Sequence, residues 1–515
     1  MRENGPDRAA ATSPLAPAVL ATIGEALAAA ERGAARSEAP RFARFSLSLP
    51  AAPSLGALLA DPRLPPLAFV WREPARGRSF VALGAVGERG VDSSERDARC
   101  SRLLEQLEPT TPLAPRGGLG STAAPEWEPV LGVASSFDGR AGAGAWAGWP
   151  AATVVLPALA VVVDGARVSA VAHVLVSVNG ADGPTAPPHV QGAQVAEQLA
   201  RVLALAERAA RRGEGRRAGT ARLAPLRLAD PAARGAYEAR VEAARGALGP
   251  SLDKLVVARA SRLAPPPGAT FELASVIERL SAREPGGFVF ALPGADGQAF
   301  VGATPELLVE RRGPVLGTVA LAGTRARSGD DARDARLLLA SDKDLHEQAL
   351  VTADIEARLG ALAGGAPVER AGPEVRLTRR VLHLETRLRV RAPGVALTDA
   401  ARALHPTPAV AGRPHDAARA WLAAHEALDR GYYAGPIGVL ELSGDGCFAV
   451  ALRSALVGPR GATAFVGAGI VPASVPSDEW VETEHKLEVV DDALSVARPE
   501  PRESAAPRDL EELGA

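Results

Sequence analysis

Lysine is almost missing from this chain. Of its 58 basic residues only Lys254, Lys343 and Lys486 are lysine, the rest being arginine. Arginine stays protonated in proteins and presents a planar fork, whereas lysine is a compact point charge that can release its proton. The composition is rich in Ala, Gly and Pro, as from a GC-rich genome, so a lysine kept where arginine would serve marks a place for a base or a point charge. Cysteine is scarce as well. Cys100 and Cys447 cannot build a disulfide framework and show no metal spacing, which suits a reducing, cytoplasmic compartment. An excess of one charge is absent, 58 basic residues standing against 60 acidic, which argues against a nucleic-acid partner. The basic-then-apolar plan of a signal peptide is absent around Glu3, Asp7 and Arg8. Ala141 to Val163 carries no charge, but Pro150 and Pro157 divide it and Val161-Val-Val163 leads into the turn Asp164-Gly165, so two buried strands are expected and no membrane span.

What is present is the pattern of a large α+β protein of 515 residues. Residues 1–38 read as a poorly ordered leader with an amphipathic helix around Leu20 to Glu31. Residues 39–215 read as an N-terminal α+β lobe, with strands at Arg41–Leu49, Leu67–Trp71 and Phe80–Gly84 and helices across Ser94–Leu107 and Val195–Arg212. The charged, glycine-bearing run from Arg211 to Pro225 is the expected boundary, 226–497 the catalytic region, and 498–515 a disordered tail.

Chemistry concentrates in the second region. Near its end a strand and a glycine turn at Gly467 and Gly469 precede a helix that starts at Pro476, with Ser477 expected as its cap. Glu479, Glu482 and Lys486 share one face of that helix, either as a cation and anion site or as an ordinary solvated face. A second i,i+3 acidic pair, Asp344 and Glu347, lies on a helix starting near Ser341, where Asp344 also fits a capping box. Two such pairs converging would give oxygen-only ligands suited to magnesium. His346, between them, points elsewhere.

Lys254 opens the strand Lys254-Leu-Val-Val-Ala-Arg259 on the face of Val256 and Ala258. Burial disfavours a lysine's charged form and suits a general base, the alternative being a lysine just beyond the sheet edge. Glu306, in the apolar run Val301–Val309 after Pro305, is a general-acid candidate or a surface-turn residue. Leu321-Ala-Gly-Thr-Arg325 is a turn able to offer N–H groups to a carboxylate, and Arg453, read on an alternating strand, is a carboxylate clamp or a solvated strand end.

In this order, Lys254-Leu-Val-Val-Ala-Arg, Gly302-Ala-Thr-Pro-Glu-Leu-Leu, Leu321-Ala-Gly-Thr-Arg, Ser341-Asp-Lys-Asp-Leu-His-Glu, Leu404-His-Pro-Thr-Pro-Ala-Val, Gly467-Ala-Gly-Ile-Val-Pro-Ala-Ser and Glu479-Trp-Val-Glu-Thr resemble the motifs of chorismate-utilising enzymes, most closely the isochorismate synthases. The resemblance covers about Tyr237 to Ala493; Trp71-Arg-Glu-Pro and Trp146-Ala-Gly-Trp are more loosely similar to the menaquinone-pathway branch. It implies antiparallel sheets flanked by helices around an active-site cleft, and a magnesium-dependent, reversible conversion of chorismate to isochorismate by a monomer or homodimer. Lys254 matches the base and Glu306 the acid; Glu347 and Glu482 match the magnesium ligands, with Asp344 and Glu479 as partners. Gly323, Thr324, Gly467, Gly469 and Lys486 would complete the ring-carboxylate pocket. Arg453 and Tyr433 would hold the enolpyruvyl carboxylate, and His383 occupies a position shared across the family. Lys254 argues against anthranilate formation, and Ala322 stands where aminodeoxychorismate synthases carry a nucleophilic lysine. The rivals are a salicylate synthase, which also eliminates pyruvate, and an inactive carboxylate-binding scaffold. Gln348 departs from the family's usual histidine and is expected to perturb the metal's surroundings; Lys343 has no assigned role. The pathway served is menaquinone or siderophore synthesis, with the N-terminal motifs leaning to menaquinone.

Overall fold

The computed structural model describes residues 17–37, 40–86, 90–113, 127–176, 188–212, 222–294 and 297–497. The expected tail, 498–515, and most of the expected boundary lie outside them. Among the described residues the strands form two large sheets, of thirteen and nine strands, and a two-stranded ribbon. The larger sheet is antiparallel except where Arg41–Ser48 runs parallel to Leu107–Leu113.

The two expected regions are not separate in space. In the larger sheet Phe288–Pro293 pairs with Leu67–Glu73, placing Phe290 opposite Trp71. In the smaller one Pro436–Glu441 pairs with Pro129–Ser135, placing Gly438 opposite Val133. Each junction strand is buried along its length, so neither segment could close its sheet without the other and still hide that edge. Inner faces of the two sheets share one core, with Phe69, Phe290 and Phe300 from the larger and Val133, Val439 and Phe448 from the smaller. The other face of the larger sheet is covered by helices Pro17–Ser37, Pro188–Arg212, Leu273–Arg283 and Pro476–Leu494. This is the helix-flanked α+β sandwich that the sequence implied.

The leader is a correction over part of its length. Pro17–Ser37 is a helix whose Val19, Ile23, Leu27, Ala30 and Ala34 form a buried stripe against the strand Arg41–Ser48 and the helix Pro188–Arg212. An apolar stripe repeating every three or four residues over about four turns anchors it. The uncharged stretch supplies strands Ala152–Val155 and Leu159–Asp164, and among the described residues no helix is long and apolar enough to cross a membrane.

Two acidic helices flank the pocket. Asp342–Leu362 packs on the strands Val315–Ala326 and Val381–Arg391, and its cap is Ser341, whose hydroxyl accepts from the Asp344 N–H at 3.3 Å. Pro476–Leu494 packs on Gly461–Ile470 and begins at Pro476 with Val475 in the cap position, so Ser477 is inside the helix and not its cap. Proline at the first helical position carries no N–H to satisfy and has its φ preset, which lets this helix start without a side-chain cap.

Candidate active site

Lys254 is the first residue of the strand Lys254–Ala264, and its side chain is completely buried. In register with Gly461–Ile470, Val256 faces Gly469 and Ala258 faces Gly467, so both glycines sit at the lysine's end of the sheet. A side chain at Gly469 would collide with Glu347 Oε1 and stand 3.1 Å from Lys254 Cε. Glycine therefore keeps open the space in which Lys254 Nζ meets Glu347 Oε1 at 2.8 Å, an ion pair off the hydrogen-bonding angle. Burial alone would raise the Glu347 carboxyl; Lys254, supported by Lys486 and Lys343, outweighs it and holds the group below its ordinary value.

Glu306 stands between the strands Ala299–Thr304 and Leu307–Arg312, where the chain passes at Pro305 from the larger sheet to the smaller one. Its N–H donates to Thr304 Oγ1 at 3.2 Å. Burial pushes its carboxyl up to about 7, against the pull of Lys254, Lys486 and Arg453.

The turn at Gly323 does what small residues allow. Gly323 has φ +70°, at the point where pairing with Val381–Arg391 slips between Ala322 and Thr324. A larger residue would be strained there and would approach Asp344 Cβ to 3.0 Å. The bulge aims the Thr324 N–H at Asp344 Oδ1, 3.2 Å away, and brings the Gly323 carbonyl to 3.2 Å from His383 Nδ1. Arg453 Nη2 lies 3.0 Å from His383 Nε2. A guanidinium only donates, so Nε2 accepts and Nδ1 carries the proton offered to Gly323. Burial, then the charge of Arg453, holds this imidazole well below its ordinary value, as a neutral ring. Arg453 itself is not on a strand, as alternation had suggested. It sits between Gly446–Val450 and Ser454–Gly458 with φ +49°, and leaving the ladder lets its side chain reach His383.

On the helix Pro476–Leu494, Lys486 Nζ donates to Glu482 Oε1 at 2.6 Å and to the Gly467 carbonyl at 3.0 Å. Glu479 is 1% exposed and pairs with Lys343 Nζ at 2.8 Å. Burial and Glu482 push the Glu479 carboxyl up, and Lys343 opposes them. Tyr433, whose phenol burial raises, places its hydroxyl against Gly467.

Eleven of the sequence-predicted residues line one pocket: Glu306, Gly323, Thr324, Glu347, His383, Tyr433, Arg453, Gly467, Gly469, Glu482 and Lys486. Lys254 stands behind Gly469, while Asp344 and Glu479 stand behind the lining, bonded to Thr324 and Lys343. Apolar lining comes from Val256, Leu321, Val410 and Phe465, which in the sequence were indistinguishable from other strand and turn residues. Gln348 points away, its Nε2 donating to the Ala320 carbonyl at 3.0 Å and Thr386 Oγ1 at 2.9 Å, so it ties the first acidic helix to its sheet. His346 is exposed. A larger cavity of about 500 Å³, beside Glu73, Arg76, Phe288 and Arg376, gathers none of the sequence-predicted residues.

Glu347 and Glu482 offer hard oxygen donors from two helices to the same pocket. Among the described residues no three His, Cys, Asp or Glu side chains converge into a cage. That donor set, with the cradle kept open at Gly469, fits an ion such as magnesium, which takes one or two carboxylates and completes its shell with water and substrate.

A sequence model of a family described as chorismate binding enzyme matches residues 26–495. The salicylate biosynthesis isochorismate synthase of Pseudomonas aeruginosa is 43% identical over 224 residues, covering 43% of this chain and 47% of that protein. The isochorismate synthase EntC of Escherichia coli strain K12 is 37% identical over 243 residues, 46% of this chain and 61% of the relative. The chain thus spans about half to three fifths of the length of these curated relatives. Among solved structures, the menaquinone-specific isochorismate synthase MenF from Escherichia coli superimposes with a TM-score of 0.68 over 91% of this chain and all of that one, at 24% identity. Anthranilate synthase component I from Streptococcus pneumoniae does so with 0.59 over 81% and 92%, at 20% identity, so several activities share this fold. With the family matched along almost its whole described length, this chain belongs to the chorismate-binding enzymes.

Proposed function

We propose that the protein is a magnesium-dependent isochorismate synthase. The observation that carries this reading is Glu306, a buried carboxyl pushed up to about 7, in a pocket that also receives carboxylates from two helices and has the buried Lys254 behind Gly469. The relatives at 43% and 37% identity, both named isochorismate synthases, support it.

In the reaction, Lys254 takes a proton from a water whose oxygen bonds to C2 of chorismate. The ring double bonds shift, the C4–O bond breaks, and Glu306 gives its proton to the departing hydroxyl, which leaves as water. One water enters and one departs, and proton exchange with solvent restores both groups. Glu306, protonated for much of the time near pH 7, is matched to that donation. Arg453 and Tyr433 hold the enolpyruvyl carboxylate, Arg453 being oriented by His383. Gly323, the Thr324 side chain, Gly467, Gly469 and the ammonium of Lys486 receive the ring carboxylate. Glu347 and Glu482 would hold the magnesium ion, which supplies charge neutralisation at that carboxylate as the double bonds move. The N-terminal motifs Trp71-Arg-Glu-Pro and Trp146-Ala-Gly-Trp support menaquinone synthesis as the product's destination.

The test is product analysis by mass spectrometry after incubating the purified chain with chorismate, with magnesium and with a chelator. Isochorismate approaching an equilibrium mixture only with magnesium is expected. Salicylate plus pyruvate would assign the protein to the salicylate-forming branch, and no turnover would leave a carboxylate-binding scaffold.

A further inference from the structure

The mechanism leaves Lys343 without a task, yet this lysine is placed as deliberately as the other two. Each of the chain's three lysines sits on a different carboxylate of the acidic helices: Lys254 on Glu347 at 2.8 Å, Lys486 on Glu482 at 2.6 Å and Lys343 on Glu479 at 2.8 Å. An ammonium is a compact charge that stands where a small cation would, which a guanidinium fork does not reproduce. Lys486 reaches back one turn along its own helix, whereas Lys343, in the first turn of Asp342–Leu362, crosses to Pro476–Leu494 and joins the two acidic helices. Glu479 is nearly inaccessible while the Lys343 side chain remains 32% exposed, so the lysine is the reachable half of the pair. A buried carboxylate left without its partner is strongly unfavourable.

With Glu306 set aside as the group whose proton the reaction uses, four acidic groups around the pocket, Asp344, Glu347, Glu479 and Glu482, stand against four basic ones, Lys254, Lys343, Lys486 and Arg453. A divalent cation entering alone upsets that balance in one direction, and a dianion entering alone upsets it in the other. Entering together, they restore it.

We propose that Lys343 is a positioning residue that clamps Glu479 between the two acidic helices and sets the resting charge of the site, so that a divalent cation is held firmly only together with the dianionic substrate. This rests on the proposed reaction for the identity of the dianion. By linkage, the two ligands strengthen each other by the same factor.

The experiment measures magnesium binding to the full chain by calorimetry, without chorismate and with it, in a Glu306→Gln background that prevents turnover. Removing the charge with Lys343→Met is expected to tighten magnesium binding in the absence of chorismate by about 5-fold or more and to shrink the strengthening by chorismate correspondingly. Lys343→Arg, which keeps the charge, is expected to retain the coupling of the unmodified protein, and a purely structural role would not separate these two variants in this way. The double change Lys343→Met with Glu479→Gln removes the pair and restores the balance, so its magnesium affinity is expected to return close to that of the unmodified protein. It also serves if Lys343→Met alone does not fold. Unchanged or weaker magnesium binding in folded Lys343→Met, or an altered affinity in the double variant, overturns the proposal. Failure of the unmodified chain to convert chorismate would instead overturn the reaction, while the affinities for magnesium alone would still decide the role of Lys343.

Discussion

Glu306, buried, and Glu347, mostly buried, both lie under the influence of Lys254, and they are driven in opposite directions. Glu347 touches the ammonium at 2.8 Å and is held below its ordinary value, as a carboxylate. Glu306 feels the same lysine only at longer range, so burial wins and pushes it up to about 7. The difference teaches that one pocket has two sides. On the helix side, the Lys254 ammonium keeps the Glu347 carboxylate ionised and ready for a cation. On the strand side, apolar surroundings keep a carboxyl able to donate a proton.

The largest test of this contrast removes the charge the two glutamates share. Lys254→Ala is expected to lower turnover of chorismate by about 10²–10⁴-fold, read as isochorismate by mass spectrometry. Persistence of activity would mean that the base is another group. On the strand side, Glu306→Gln should bring a loss of similar size and change the pH profile as well. Glu306 must be protonated to act, so the rate of the unmodified protein should fall as pH rises through about 7, and that limb should vanish in the variant. A limb that survives Glu306→Gln belongs to some other acid. On the helix side, Glu482→Gln should cost about 10²–10³-fold and blunt the response to added magnesium, because it removes a carboxylate that would hold the ion neutralising the ring carboxylate. Gln348→Ala is the smallest change. It deletes two buried hydrogen bonds behind the first acidic helix and should lower stability by about 1–3 kcal/mol in denaturant melts without altering the product.

The parts of the site carried by local spacing were legible in the sequence. The i,i+3 acidic pairs, the two glycines at alternate strand positions and the carboxyl after a proline in an apolar run each follow from helix or strand geometry. What was not legible depends on contacts between residues distant in the chain. Nothing near Leu67–Glu73 says that this strand will pair with Phe288–Pro293, so two lobes were expected where the sheets are continuous. The apolar stripe of Pro17–Ser37 was visible, but the surface that covers it was not. Arg453 looked like a strand residue because its neighbours alternate, and only the turn at φ +49° shows otherwise. Lys343 stood out for its rarity alone; its partner Glu479 is on another helix.

The most direct measurement of the central claim is the origin of the product's C2 oxygen. Chorismate converted in ¹⁸O-labelled water, with magnesium, should give isochorismate carrying one heavy oxygen at C2, located by fragmentation in the mass spectrometer. Isochorismate formed without the label would mean that the hydroxyl migrates within the molecule, and would contradict the assignment of Lys254 as the base that activates water.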